Sequence, residues 1–312
     1  MTQLRFDGRV AVITGAGRGL GRAYALLLAA RGCKVVVNDN GSATRGDAII
    51  ANPAQDVVDE IIAAGGEAVA CTHSVASAQG AAAIVQAAID AWGRIDVLIH
   101  NAGNVRYGLI ADLADEDLDA VIDVHLKGGF WLVRAAFPHM AAAQYGRVVL
   151  TSSCSGLYGS RTTVNYGMSK AGLMGLNNVT ALEGGPYNIR SNTIIPAAVT
   201  RMADGLDTSA YPPMDPELVA PMVGWLAHET CDVSGEHYIA AAGRMARAFT
   251  TETRGVFRTE WSIEDVAADI AAIRNPDAER WTFPPYPSGM ADHLGRSFEW
   301  AHRERAQAEG AP

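Results

Sequence analysis

From residue 9 to about residue 240, short runs rich in β-branched residues alternate with longer stretches rich in Ala and Leu. The runs with strand character are 10–14, 34–38, 67–71, 96–101, 147–151, 188–195 and 237–240. The stretches with helical spacing are 19–31, 53–64, 77–92, 116–143, 165–183 and 216–228. Several of the strand runs, such as Val10-Ala11-Val12-Ile13, are apolar almost throughout, whereas a strand wetted on one face would alternate. Strands buried on both faces and separated by helices call for a parallel sheet with right-handed crossovers and helices on both sides. The expected fold class is α/β, a doubly wound parallel sheet.

Residues 1–243 are expected to form one domain, followed by a C-terminal extension over 244–312. Residues 244–270 mix Arg, Thr and Glu, and the run from Trp281 to Gly289 is irregular, so the extension is expected to pack on the domain or on a partner subunit. The connection 39–52 is polar and longer than usual, which marks a surface insertion after the second strand.

The first strand runs into Gly15-Ala16-Gly17-Arg18-Gly19-Leu20-Gly21 and then a helical pattern. Glycines at this junction let the backbone turn sharply and approach a pyrophosphate seated at a helix N-terminus. Tight strand-to-helix turns also use glycine, so the position between buried strand and helix matters more than the glycines themselves. Asp39 follows the second strand, where the ribose 2′-hydroxyl of NAD needs an acceptor and a 2′-phosphate would be repelled. Arg18 is the contrary signal, since a basic residue in the loop can pair with that phosphate. NAD is the expected cofactor. His100-Asn101-Ala102-Gly103 closes the fourth strand with small residues against which a nucleotide can lie.

Tyr166 and Lys170 stand four residues apart, on one face of the helix expected at 165–183. A phenol near its ordinary pKa of about 10 is a poor proton acceptor at neutral pH, and a neighbouring cation favours the phenolate. Ser153 lies thirteen residues before Tyr166, just past a strand, where a hydroxyl can hold the same substrate oxygen. Ser155 is its nearest competitor for that role.

A net charge of −9 and a pI near 5.3 argue against a nucleic-acid partner or an anionic membrane surface. Cys33, Cys71, Cys154 and Cys231 form no C-x-x-C pair and suggest no disulfide framework. The first residues lack an apolar signal core, no run is long enough to span a bilayer, and Glu309-Gly310-Ala311-Pro312 is no peroxisomal address. The expected location is cytoplasmic, without a membrane partner. His228, Cys231 and His237 do not make a convincing metal set, so no metal is expected. The acidic residues 112–119 fit a helix start better than an acid catalyst.

Thr14-Gly15-x-x-x-Gly19-x-Gly21, Asn101-Ala102-Gly103, Ser153 and Tyr166-x-x-x-Lys170, in this order, resemble the short-chain dehydrogenase/reductase family over residues 5–243. The resemblance implies a Rossmann sheet, a nicotinamide dinucleotide and hydride transfer between NAD and a secondary alcohol or ketone. It implies Ser153, Tyr166 and Lys170 as catalytic residues. It also implies a nucleotide site of Gly15, Arg18, Gly19, Leu20, Gly21, Asp39, Ser74, Val75, Asn101, Ala102, Gly103, Tyr166, Lys170, Ala198, Val199 and Thr200. Val35-Val36-Val37-Asn38-Asp39, Val124-His125-Leu126-Lys127-Gly128 and Ser155-Gly156-Leu157-Tyr158-Gly159 are similar to one subgroup. That subgroup holds the (3R)-hydroxyacyl-CoA dehydrogenase units of peroxisomal multifunctional β-oxidation enzymes and their bacterial single-domain relatives.

The subgroup implies a (3R)-3-hydroxyacyl-CoA as substrate, in fatty-acid or steroid side-chain β-oxidation, with Arg106 and Arg201 as candidate anchors for the CoA. A free hydroxysteroid or another secondary alcohol is the alternative, and a non-catalytic dinucleotide-binding protein a remote one. His125 stands where most of the family has an asparagine whose carbonyl holds a relay water, so His125 is a further catalytic candidate. Asn104 and Tyr107 depart from the subgroup beside the substrate opening. Helices 116–143 and 165–183 resemble the family's subunit contacts, which implies a homodimer or homotetramer.

Overall fold

A computed structural model describes residues 3–43, 52–199 and 210–310. Two compact units are present, Met1–Arg247 and Ala248–Pro312. The first is built around an eight-stranded sheet, β1 Val10–Thr14, β2 Lys34–Asn38, β3 Glu67–Cys71, β4 Val97–His100, β5 Gly146–Thr151, β6 Ile189–Ala197, β7 His237–Ala241 and β8 Arg244–Ala248. Its order is β3-β2-β1-β4-β5-β6-β7-β8, and neighbours from β3 to β7 run parallel. The doubly wound Rossmann sheet expected from the alternation is present. Strand order reverses between β1 and β4, which opens a crevice at their C-terminal ends. Ala242 and Gly243, with φ of 48° and 80°, make the tight turn that adds β8.

The helices of this unit are α1 Gly19–Ala30, α2 Pro53–Ala63, α3 Ala78–Trp92, α4 Asp115–Ile122, α5 Gly128–Ala142, α6 Cys154–Tyr158, α7 Val164–Gly184 and α8 Ala220–Ala227. Each central strand feeds two cores. Ala11, Ile13, Val35, Val37, Val97 and Ile99 meet Tyr24 and Leu28 of α1, Val57 of α2 and Val223 of α8. Val10, Val12, Val36 and Leu98 meet Ile84 of α3, Leu132 of α5 and Leu173 of α7 on the other face. This explains the uninterrupted apolar runs, because successive side chains enter opposite layers and both are dry. Ile13 is fully buried, and its truncation to Ala would cost about 2–5 kcal/mol through lost burial and the cavity left behind.

The helix expected over 116–143 is divided. Between α4 and α5 the backbone widens into a π-helical turn, Asp123–Lys127, where the Gly128 N–H reaches back to the Asp123 carbonyl. Its central residue, His125, makes the tertiary contacts described below. The helix expected over 216–228 is shorter, a 3₁₀ turn at Pro216–Leu218 followed by α8. α6 escapes the periodicity because it has five residues.

The second unit contains a two-stranded antiparallel pair, β9 Glu252–Thr253 with β10 Arg280–Trp281, and helices α9 Ile263–Ile273 and α10 Met290–Gly310. Ser262 and Asp265 form a reciprocal capping box at the start of α9. Trp281 and Trp300 meet edge to face at 5.5 Å, with Arg296 4.6 Å over the Trp281 ring.

Candidate active site

The loop from β1 to α1 forms one wall of a cavity of about 600 Å³ at the β1/β4 crevice. Gly15 has φ of 63°, and a Cβ there would stand 2.8 Å from the Ala102 Cα, so the loop and the strand-end turn can touch only through glycine. A Cβ on Gly21 would collide with the Gly15 carbonyl oxygen. α1 starts at Gly19 with no side-chain cap and no acidic residue in its first turn, so its first N–H groups remain available to an anion. Arg18 lines the cavity and holds a buried guanidinium nitrogen, Nη1, without a hydrogen-bond partner. Asp39 follows β2 with both carboxylate oxygens occupied, accepting from the Gly17 N–H at 3.1 Å and the Gly41 N–H at 2.9 Å. An open helix start, a glycine cradle and an unpartnered cationic nitrogen fit the diphosphate and ribose of a dinucleotide.

Gly15, Arg18, Gly19, Leu20, Asp39, Ser74, Val75, Asn101, Ala102, Gly103, His125, Tyr166, Lys170, Ala198 and Val199 all border this cavity. Gly21 lies behind it, against Gly15. Thr200 and Arg201 fall outside the described residues. Asn104, which the sequence puts beside the substrate opening, also lines it, as does Met214, one of the Met and Trp residues near 214–225 that could line an apolar substrate cleft; for Asn40, His73 and Tyr211 the sequence offered no reason. Chain order gives no signal for these, because they arrive from separate loops.

Tyr166 and Lys170 occupy one face of α7, and Lys170 Nζ lies 5.3 Å from the Tyr166 ring centre. Lys170 is buried, donates to the Thr151 carbonyl at 2.6 Å, and is pushed down by burial to a pKa of about 7. Burial raises the Tyr166 phenol, partly offset by a hydrogen bond with Ser153. Burial thus works against the charge separation that the lysine favours. Ser153 caps α6, and its Oγ accepts the Ser155 N–H at 3.1 Å, which leaves its own O–H to donate. Ser153 reaches the cavity through Tyr166 and does not line it.

Asn165, fully buried, sets the start of this helix against its surroundings. Its side-chain amide donates to the Arg106 and Asp117 carbonyls at 3.2 and 3.0 Å, and its Oδ1 accepts the Tyr166 N–H at 2.8 Å. Arg106 pairs with Asp117 at 3.4 Å.

His125 is buried in the π-helical turn with its ring edge-on to Tyr166, centroids 5.2 Å apart. Its Nε2 is 2.8 Å from the Asn104 carbonyl oxygen and 3.1 Å from the Asn104 amide nitrogen. Burial, with Lys170 adding to it, holds the imidazole well below its ordinary pKa, so it is neutral. The His125 carbonyl is met by Nε2 of His100 at 2.9 Å, and His100 Nδ1 lies 3.0 Å from the Thr14 hydroxyl.

His228 and His237 serve separate backbone and hydroxyl partners, Arg5 and Thr193 respectively. Among the described residues no three His, Cys, Asp or Glu side chains are placed to hold a metal. Nor is any helix among them long and apolar enough to cross a membrane.

The family model described as short chain dehydrogenase matches residues 9–209. The peroxisomal multifunctional enzyme type 2 of Drosophila melanogaster is 46% identical over 254 residues, 81% of this chain and 42% of that protein. The solved structure of that full-length enzyme superposes with a TM-score of 0.80 at 37% identity, over 96% of this chain and 50% of that one. This chain therefore spans about half or less of that relative. A short chain dehydrogenase from Mycobacterium avium superposes with a TM-score of 0.76 at 40% identity, over 90% of this chain and 98% of that one. A hydroxyacyl-CoA dehydrogenase of Mycobacterium tuberculosis is 34% identical over 302 residues, 87% of this chain and 91% of that protein. With the glycine cradle, the Tyr166–Lys170 pair and the sheet order already in place, this chain belongs to the short-chain dehydrogenase family.

Proposed function

We propose that this oxidoreductase transfers hydride between NAD and a (3R)-3-hydroxyacyl-CoA or its 3-keto counterpart. The observation that carries the chemistry is the meeting of Tyr166, Lys170 and the glycine cradle in one cavity. The substrate class is supported by similarity over nearly the whole chain to a hydroxyacyl-CoA dehydrogenase. NAD is supported by Asp39, a carboxylate on the cavity wall that disfavours a 2′-phosphate.

The glycine cradle, Arg18 and Asp39 would hold the dinucleotide, which would supply a hydride acceptor for the alcohol or a hydride donor for the ketone. Ser153 donates its O–H to the substrate oxygen, a role for which its bond from the Ser155 N–H orients it. Tyr166 accepts the alcohol proton during oxidation and returns it during reduction. Lys170 favours the phenolate electrostatically, and its Nζ is directed by the Thr151 carbonyl. Holding substrate oxygen, phenol and carbinol carbon in register is the larger contribution of the protein.

A free secondary alcohol, such as a hydroxysteroid, is favoured by one observation. Arg106, a candidate anchor for CoA phosphates, is engaged by Asp117. Self-association belongs to the same proposal, since Phe130 of α5 and Val179 of α7 are exposed; light scattering of the purified chain checks it. The deciding experiment follows NADH at 340 nm with (3R)- and (3S)-hydroxyacyl-CoAs, hydroxysteroids and simple secondary alcohols. Turnover of (3R)-acyl-CoAs that vanishes in Tyr166→Phe is the expected result. Turnover of steroids or small alcohols alone would remove the acyl-CoA assignment.

A further inference from the structure

His100 ends β4, is 1% exposed, and takes no part in the chemistry above. Its ring occupies a slot beside α5 and α7: a Cβ on Gly129 would stand 3.1 Å from His100 Cδ2 and 2.8 Å from Leu173. Both ring nitrogens are used, and the direction of every hydrogen bond follows from one fact. The His125 carbonyl, 2.9 Å from His100 Nε2, can only accept, so Nε2 carries the proton. Nδ1 then holds a lone pair and must accept the Thr14 O–H across 3.0 Å. The Thr14 oxygen, having given its proton, accepts the amide N–H groups of Asn101 and Ala102, each at 3.1 Å. Thr14 begins the dinucleotide loop, Asn101 and Ala102 line the cavity, and His125 sits edge-on to Tyr166.

We propose that His100 is a positioning residue with two separable functions, one through each ring nitrogen. Through Nδ1 it orients the Thr14 hydroxyl, which holds the Asn101-Ala102 turn against the glycine loop and so shapes the cofactor cradle. Through Nε2 it fastens the carbonyl at the centre of the π-helical turn, which sets the His125 ring against Tyr166. The wide turn supplies the opportunity, since such turns displace carbonyls from the regular ladder. Burial depresses the His100 pKa to about 4, so the neutral, singly protonated ring persists across the working range. The assignment rests on the cavity holding a nicotinamide dinucleotide and on His125 bordering the reacting centre.

Two substitutions divide the functions. Asn places a carbonyl oxygen near the Nδ1 position and preserves the acceptor for Thr14, whereas Gln places an NH₂ near Nε2 and preserves the donor to His125. His100→Asn should bind NADH, followed by its fluorescence, within about twofold of wild type but lose about tenfold in kcat, the scale of one buried hydrogen bond. His100→Gln should keep kcat within about threefold and bind NADH about tenfold more weakly. Equal losses in both variants, or losses in the reverse pattern, would overturn the proposal, as would no change in either.

In ¹⁵N-histidine-labelled wild type, the His100 ring should show the Nε2–H tautomer from pH 5 to pH 8. An Nδ1–H tautomer, or titration in that range, would overturn it independently of how the variants fold. NADH binding and the tautomer need no substrate. If no alcohol in the panel is turned over, the proposed reaction fails while these two measurements still decide the role of His100.

Discussion

Lys170 Nζ is anchored to the Thr151 carbonyl at 2.6 Å and lies 5.3 Å from the centre of the Tyr166 ring. The lysine is therefore held by the end of β5 with its ammonium over the Tyr166 ring. Burial acts on both groups in the discharging direction, raising Tyr166 and lowering Lys170 to about 7. A charged pair in this site depends on mutual attraction and on the polar groups that share the cavity.

Replacing Tyr166 by Phe removes the proton acceptor and little else, because the ring still packs edge-on to His125. Turnover should fall by about 10²–10⁴-fold, the usual worth of a positioned acid–base group. NADH affinity should hold within about twofold. A variant that retains more than a tenth of wild-type turnover would remove Tyr166 from the proton path.

The depressed Lys170 pKa has a consequence for stability with a definite sign. Between about 7 and the ordinary lysine value of 10.5, the unfolded chain binds a proton at this site that the folded chain has released. Stability must rise with pH in that window, and the cost of burying the charge is fully present below pH 7. Relative to Lys170→Met, the wild type should gain up to about 1.4 kcal/mol per pH unit between pH 7 and pH 10. Urea unfolding of both proteins at pH 6, 8 and 10, without cofactor, gives the comparison. A pH-independent difference would mean that Lys170 titrates normally.

Gly103 faces His125, and a Cβ on it would collide with the imidazole Cε1. Gly103→Ala should weaken NADH binding by about tenfold or more, as displacement of the turn costs about 1–3 kcal/mol. The Gly103→Ala, His125→Ala double variant should recover most of that binding, since the clash disappears with the ring. Additive losses would show that the glycine is needed for another reason.

Asp39 accepts two backbone N–H groups, from Gly17 and Gly41, while bordering the cavity beside Arg18. Asp39→Ser should lower kcat/KM with NAD and raise it with NADP, shifting their ratio by about tenfold or more on removal of a carboxylate–phosphate repulsion. Steady-state kinetics with both dinucleotides measures the ratio. An unchanged ratio would assign cofactor choice to Arg18 or to residues outside the described chain.

The sequence by itself determined the sheet and much of the cradle, because those features are local. An apolar run such as Val10–Ile13 declares burial on both faces, glycines at the strand-to-helix junction declare a close approach, and Tyr166 with Lys170 share a face through helical spacing alone. Tertiary structure decided the rest. Nothing near residues 116–143 foretells the π-helical turn at Asp123–Lys127, which acquires its meaning when His100, 25 residues away, meets the His125 carbonyl. Arg106 looked available for a phosphate until folding brought Asp117 beside it. The Tyr166–Lys170 pair looked like a simple cation beside a phenol until burial was counted, and burial belongs to the whole fold. Periodicity reports which face of a segment is dry, whereas hydrogen-bond partners, ion pairs and desolvation depend on what the chain places opposite that face.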